Sequence, residues 1–305
     1  MVSVPRQRLL GYLAMGATVA IWAAFALSMR GISLSALTPI DVALIRFGVP
    51  VLLFLWWLRR AARDVRLAPK AACLLVVIGA GLPFFLLSTG GGSLSSATMV
   101  GVVIPGTAPL FVTLIGRFFL RQAVPRRSVA GLILITLGIT TLAAAAPSTV
   151  RPQALAVLVL AGLLWALYTL GLKGAGLHPI TATLLLCIPS LIGTAAVLAL
   201  GWGESHLASA PLEQTAGFIA VQGLGVGAIA GLSYAAAIRT IGPAAASSIG
   251  ATSPALVTIL AVPVFGEPIS LISSAAVALV VSGVLIVNAK KSAPRKKEQH
   301  VLEPA

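Results

Sequence analysis

Arg46 is the residue that most needs explaining, because it lies inside an apolar run, 39–58, long enough to cross a bilayer. It stands about seven residues into that run, roughly 10 Å along a helix axis from the nearer end. A guanidinium at that depth is costly unless it meets a partner or water. An intramembrane arginine is therefore read as a group that binds a carboxylate or a phosphate. Two other readings stay open: a side chain that snorkels to the outer surface, and an ion pair across helices that fixes packing. Asp41, about 140° round the same helix, is a poor partner for it. Aromatic pairs come next. Trp22 with Phe25, and Trp165 with Tyr168, are spaced to share a helix face. Such faces suit an amphipathic or flat substrate and supply cation–π capacity, or else they are packing or an interfacial belt. Phe85 (or its neighbour Phe84) and Tyr234 add rings of the same kind. Thr107, Thr252 and Ser253 offer hydroxyls. Pro105, Pro109, Pro254 and Pro263 remove backbone donors and so mark hinge positions, or else close-packed helices rich in small residues. His178, His206 and His300 fall in loops or the tail, so no metal site, cofactor or catalytic triad is expected, and no enzyme.

The elements that must hold these residues follow from composition. Of the 305 residues, 58% are hydrophobic and 9% charged, with a mean hydropathy of +1.04. Soluble domains carry about 25% charged residues. The apolar residues form ten runs, about 9–29, 39–58, 71–90, 95–117, 127–146, 153–172, 179–200, 215–238, 244–264 and 270–289. Each has the roughly 20 residues that a helix needs to span the hydrocarbon core, so the expected fold is an all-α polytopic membrane protein with ten transmembrane helices. Cys73 and Cys187 lie within runs and suggest no disulfide framework. The run "STGGGSLSS" (88–96) reads as a flexible outer turn. The net charge of +14 does not point to nucleic acid. Of the 21 Lys and Arg residues, all but Arg30, Arg151 and the intramembrane Arg46 fall on one side of the ten-span layout. That bias places both termini in the cytoplasm.

The chain also repeats itself. "WAAFALSMRG" (22–31) and "WALYTLGLKG" (165–174) share Trp-Ala-x-aromatic-x-Leu-x-x-base-Gly, and "PLFVTL" (109–114) matches "PALVTI" (254–259). The second register sets Thr107 on Thr252, Leu120 on Phe265, Gln122 on Glu267 and Gly138 on Gly283. It also sets Arg121, Arg126 and Arg127 on Gly266, Leu271 and Ile272, so the helix is kept while the loop loses its charge. The expected domains are a first five-helix repeat, 1–147, a second, 148–290, and a basic cytoplasmic tail, 291–305. Five helices are an odd number, so the copies must insert in opposite senses. Inverted repeats mark alternating-access carriers with a midplane site between the halves.

Together with "PIDVALIR" (39–46) and "FGEP" (265–268), these strings resemble the EamA family of the drug/metabolite transporter (DMT) superfamily, over residues 9–289. The resemblance implies a ten-helix inverted-repeat carrier of the inner or plasma membrane that exports amino acids, related metabolites or drugs. The family often has Glu after its fourth helix, where Gln122 stands here, while Glu267 keeps it in the second copy. The reading is a carrier that moves a small amphipathic metabolite outward, with an amino acid as the expected class. Its first rival is an importer or exchanger of anionic metabolites anchored by Arg46, with Arg30 or Lys173 as gates. The second is a non-transporting receptor or partner subunit. Against it, the longest loop is about 201–214, too short for a signalling domain. The expected partners are a small-molecule substrate and the lipid bilayer. No acid sits in mid-span, so facilitated diffusion fits at least as well as proton coupling. A ten-helix chain could act alone, and the Ala- and Arg-rich composition suggests a bacterial source.

Overall fold

The computed structural model describes residues 6–119, 121–146 and 150–289. The basic tail 291–305, with Lys290, Leu120 and linker residues 147–149, lies outside the described residues. Every regular element among the described residues is helical: α1 (Arg6–Ile32), α2 (Pro39–Leu53), α3 (Leu58–Leu67), α4 (Lys70–Ala80), α5 (Leu82–Leu94), α6 (Ala97–Phe118), α7 (Arg126–Ala144), α8 (Pro152–Ala175), α9 (Pro179–Ala199), α10 (Leu212–Phe218), a π-helical segment Ile219–Ile229, α11 (Ala230–Gly250), α12 (Ser253–Phe265) and α13 (Leu271–Asn288). A 3-10 turn, Leu55–Trp57, leads into α3, and α11 is broken at Gly242. Among the described residues these elements make up nine stretches long and apolar enough to cross a membrane, three of them built from more than one element (Lys70–Leu94, Leu212–Gly242 and Ala245–Phe265), and the bent pair Pro39–Leu53 with Leu55–Leu67 brings the count to as many as ten.

Two runs differ from their sequence reading. The run 39–58 stops being straight at Phe54, where the chain leaves helical geometry and turns by 60° into α3. Pro50 sits one turn earlier and cannot donate to the ladder. The arginines expected in a loop, Arg59, Arg60, Arg63 and Arg66, therefore lie on an amphipathic helix. The second difference is "STGGGSLSS", which is not a flexible turn. Helix α5 continues through Leu94, and only Ser95 and Ser96 separate it from α6. Its glycines let other helices approach closely: a Cβ at Gly92 would lie 2.6 Å from the Met29 carbonyl oxygen, closer than real Cβ atoms come. The span 70–94 is interrupted at Gly81, and Ser190 Oγ accepts the freed Leu82 N–H at 3.1 Å.

Helices aligned by the repeat run antiparallel against each other in three cases. Glu267, just past the end of α12, reaches the first residues of α6. Gly131 at the start of α7 meets Gly283 and Val287 near the end of α13. Asp41 at the start of α2 is tied to Ser205 and His206 beyond α9, while Asp64 on α3 is tied to Thr181 at the start of α9. The main core threads between these pairs through Met29, Phe47, Phe84, Phe85, Val103 and Leu158.

Candidate functional site

Arg46 faces inward from the middle of α2 and is 5% exposed. Three rings surround its guanidinium carbon: Phe25 of α1 at 5.2 Å, Phe47 at 5.7 Å and Phe85 of α5 at 5.8 Å from their centroids. Its Nη1 donates to Gln222 Oε1 at 2.7 Å. Its Nε is buried and has no hydrogen-bond partner among the described residues. Gln222 Nε2 donates in turn to Ser28 Oγ, and Ser28 donates to the Phe25 carbonyl at 2.7 Å. Arg46 therefore neither snorkels nor forms an ion pair with any described carboxylate. Asp41, Asp64 and Glu267 are bonded elsewhere, and the one ion pair among the described residues joins His206 to Glu204.

The aromatic candidates divide. Phe25 stacks on Phe84 at 5.9 Å, Phe84 meets Trp165 at 5.3 Å, and Trp165 meets Tyr168 at 5.0 Å. This ladder joins α1, α5 and α8 beside Arg46. Trp22 goes elsewhere. It packs on Tyr234 at 5.4 Å in a separate cluster with Met15 and Val19, so the two repeated tryptophans do not share one wall.

None of the remaining candidates shares a described hydrogen bond or ring contact with the arginine. Thr107 is buried and its hydroxyl returns to the Val103 carbonyl at 2.7 Å, the usual back-bond of a helical threonine. Thr252 is exposed and donates to the Ile249 carbonyl at 2.6 Å, while Ser253 is buried at the start of α12. Pro105 and Pro109 sit within a continuous α6, Pro263 within α12, and Pro254 in its first turn.

Sequence reasoning missed Gln222 and Ser28. Gln222 is fully buried in the π-helical segment Ile219–Ile229. Its signal was available: an amide inside an apolar run must find partners, just as a charge must. Ser28 carried no such mark, since a helical serine can satisfy itself.

At the end away from the arginine-rich loops, a cavity of about 340 Å³ is lined by Arg30, Ser95, Thr98, Glu267, Ser270 and Ser273 among others. Arg30 donates to the Gly92 and Ser93 carbonyls at 3.4 and 3.3 Å. The other end is held by Trp57, whose Nε1 donates to Thr181 Oγ1 at 3.0 Å, and by Thr181, which donates to Asp64 at 3.0 Å.

The family described as the EamA-like transporter family matches residues 9–144 and again residues 153–289. No curated protein matches the chain. The chain is similar to a protein solved by crystallography, at 20% identity with a TM-score of 0.58 over 93% of this chain and 96% of that one, a likeness of fold.

Proposed function

Since the chain belongs to the EamA-like transporter family, and so is a multi-pass membrane transporter of the DMT type rather than an enzyme, we propose that it carries a small carboxylate-bearing metabolite, an amino acid or a similar amphipathic compound, out of the cell. In this reading ten spans form two inverted repeats, 1–147 and 148–290, followed by the tail 291–305. Both termini face the cytoplasm of a bacterial plasma membrane. The substrate site lies between the repeats, and rocking of the helix bundles exposes it to each side in turn.

One observation carries the substrate class. Arg46 is a buried cation whose described partner is a neutral amide, and its Nε is left unpaired. An unpaired charge in a low-dielectric interior is expensive, and a carboxylate is the group that fits a guanidinium's planar donors. The rings of Phe25, Phe85 and the Phe84–Trp165–Tyr168 ladder suit the apolar body of such a compound. An ammonium group on the same molecule would find their faces favourable. Anion exchange anchored by Arg46 uses the same contact, and the direction of net movement separates it from export. Among the described residues no acid lies beside Arg46, so a carboxylate proton carrier at this site has no support.

Reconstituted protein tests the reading. Liposomes are loaded with separate pools of organic acids, amino acids and amines of two to eight carbons, and efflux is followed by mass spectrometry. Wild-type protein is expected to move carboxylate-bearing compounds. Arg46→Gln should abolish that movement without loss of the folded protein, and Arg46→Lys should retain part of it. Undiminished efflux by Arg46→Gln would refute the proposal.

A further inference from the structure

The residue facing Arg46 is as informative as Arg46 itself. Gln222 comes from the π-helical segment, the only such stretch among the described residues, and wide helical turns of this kind recur at functional sites. The segment lies against α2: a Cβ at Gly223 would lie 2.9 Å from Val49, and one at Gly227 would lie 3.0 Å from the Arg46 carbonyl oxygen. The extra residue in each turn brings the Gln222 side chain opposite the guanidinium. The orientation of its amide is fixed by its neighbours. Ser28 Oγ spends its proton on the Phe25 carbonyl, so it can only accept, and the Gln222 NH2 must point to it. The amide oxygen is left for Arg46 Nη1, where it takes the place of one oxygen of a carboxylate.

We propose that Gln222 is a specificity-determining residue of this carrier: it is a neutral stand-in for the substrate's carboxylate that keeps the site at a net charge of +1 and yields Nη1 when the carboxylate arrives. The proposal rests on the reading of Arg46 as the carboxylate anchor. A glutamate at this position would be a permanent counter-ion, and the site would then have no charge to offer an anion. A group unable to accept a hydrogen bond would leave Arg46 without its competitor. Ser28 is a positioning residue that acts through the amide.

The test uses full-length protein in liposomes with the same three pools. Gln222→Glu is expected to lower carboxylate efflux on the order of 100-fold, as pairing or unpairing a buried charge does, and to raise efflux of amines. Gln222→Met keeps the size and the net charge. It is expected to lower the KM for the carboxylates by about 2- to 12-fold, the range of one neutral hydrogen bond. Thermal unfolding in detergent shows that each variant is folded. If Arg46→Gln abolishes carboxylate efflux while folded Gln222→Glu and Gln222→Met both keep the wild-type selectivity and KM, the role of Gln222 is refuted and the anchor stands. If Arg46→Gln transports like the wild type, the anchor itself is refuted. Should Gln222→Glu fail to fold, an unchanged KM in Gln222→Met overturns the proposal alone.

Discussion

Glu267 reaches across from the second half of the chain to the first turn of α6, and removing its charge has an effect that can be worked from the geometry. Its Oε1 accepts from the Ala97 N–H at 2.6 Å, and its Oε2 accepts from the Thr98 N–H at 3.2 Å and the Thr98 hydroxyl at 2.9 Å. In Glu267→Gln one oxygen remains for Ala97. The new NH2 faces Thr98, whose hydroxyl can rotate to accept it, but the Thr98 N–H cannot. One charge-assisted bond is lost, along with the attraction between a carboxylate and a helix N-terminus. The residue is half-buried, so water replaces part of both. The expected net loss is about 2 kcal/mol, or roughly a 30-fold fall in the ratio of molecules that keep this contact to those that lose it. Spin labels on Ser93 and Ile269, with the buried Cys73 and Cys187 replaced by alanine, report that ratio as a distance distribution. A longer distance is expected to grow at the expense of the short one in Glu267→Gln, and Thr98→Val should move it the same way by a smaller amount. Identical distributions in the wild type and Glu267→Gln would refute the idea that this contact holds the two halves together at this end.

Two further outcomes concern stability. Gly131→Ala should cost about 1–3 kcal/mol, the usual cost of overpacking, because a Cβ there would lie 2.7 Å from the Gly283 carbonyl oxygen in the α7–α13 contact, and thermal unfolding in detergent measures it. Asp41→Ala removes a capping box and the acceptor of the His206 N–H, a loss of about 2–4 kcal/mol, and should expose loop 201–211 to proteinase K. Asp41→Asn should be milder, because the Ser205 hydroxyl can turn to meet an amide; equal losses in the two variants would contradict that account.

The spans were legible because a membrane leaves little freedom: apolar runs of bilayer length have to be helices. The bends were less legible. Pro50 marks the turn at Phe54, but Pro105 and Pro109 lie in a helix that does not break. The glycines of 90–92 read as a loop signal from sequence alone, and in the structure they are contact points for α1 and α8. Arg46 was found because a charge in an apolar run is conspicuous. Its partner Gln222 was not, because the facing geometry depends on a π-helical segment with no composition of its own. Trp22 and Trp165 show the limit of a repeated string: the residues recur, but α1 packs Trp22 on α11 while α8 packs Trp165 on α5.

The duplication is best seen in backbone, and its divergence in polar side chains. Gln122 N–H donates to the Gly116 carbonyl at 2.9 Å, and Glu267 N–H donates to the aligned Ala261 carbonyl at 3.3 Å. The preceding residues are left-handed in both copies, Gly266 at φ 66° and Arg121 at φ 51°, where a non-glycine costs about 1–2 kcal/mol. The first copy has an arginine in that turn despite the cost. The turn then presents an amide at the arginine-rich end and a carboxylate at the other. A similar exchange links the starts of α2 and α9, each opening on Pro-Ile. In one the helix supplies the carboxylate, Asp41, to Ser205 of a loop, and in the other Asp64 outside the helix accepts from Thr181 on it. Under the alternating access proposed above, these unlike contacts would give each end its own closing energy, so that a preferred direction of opening would arise from a few side chains at the helix ends.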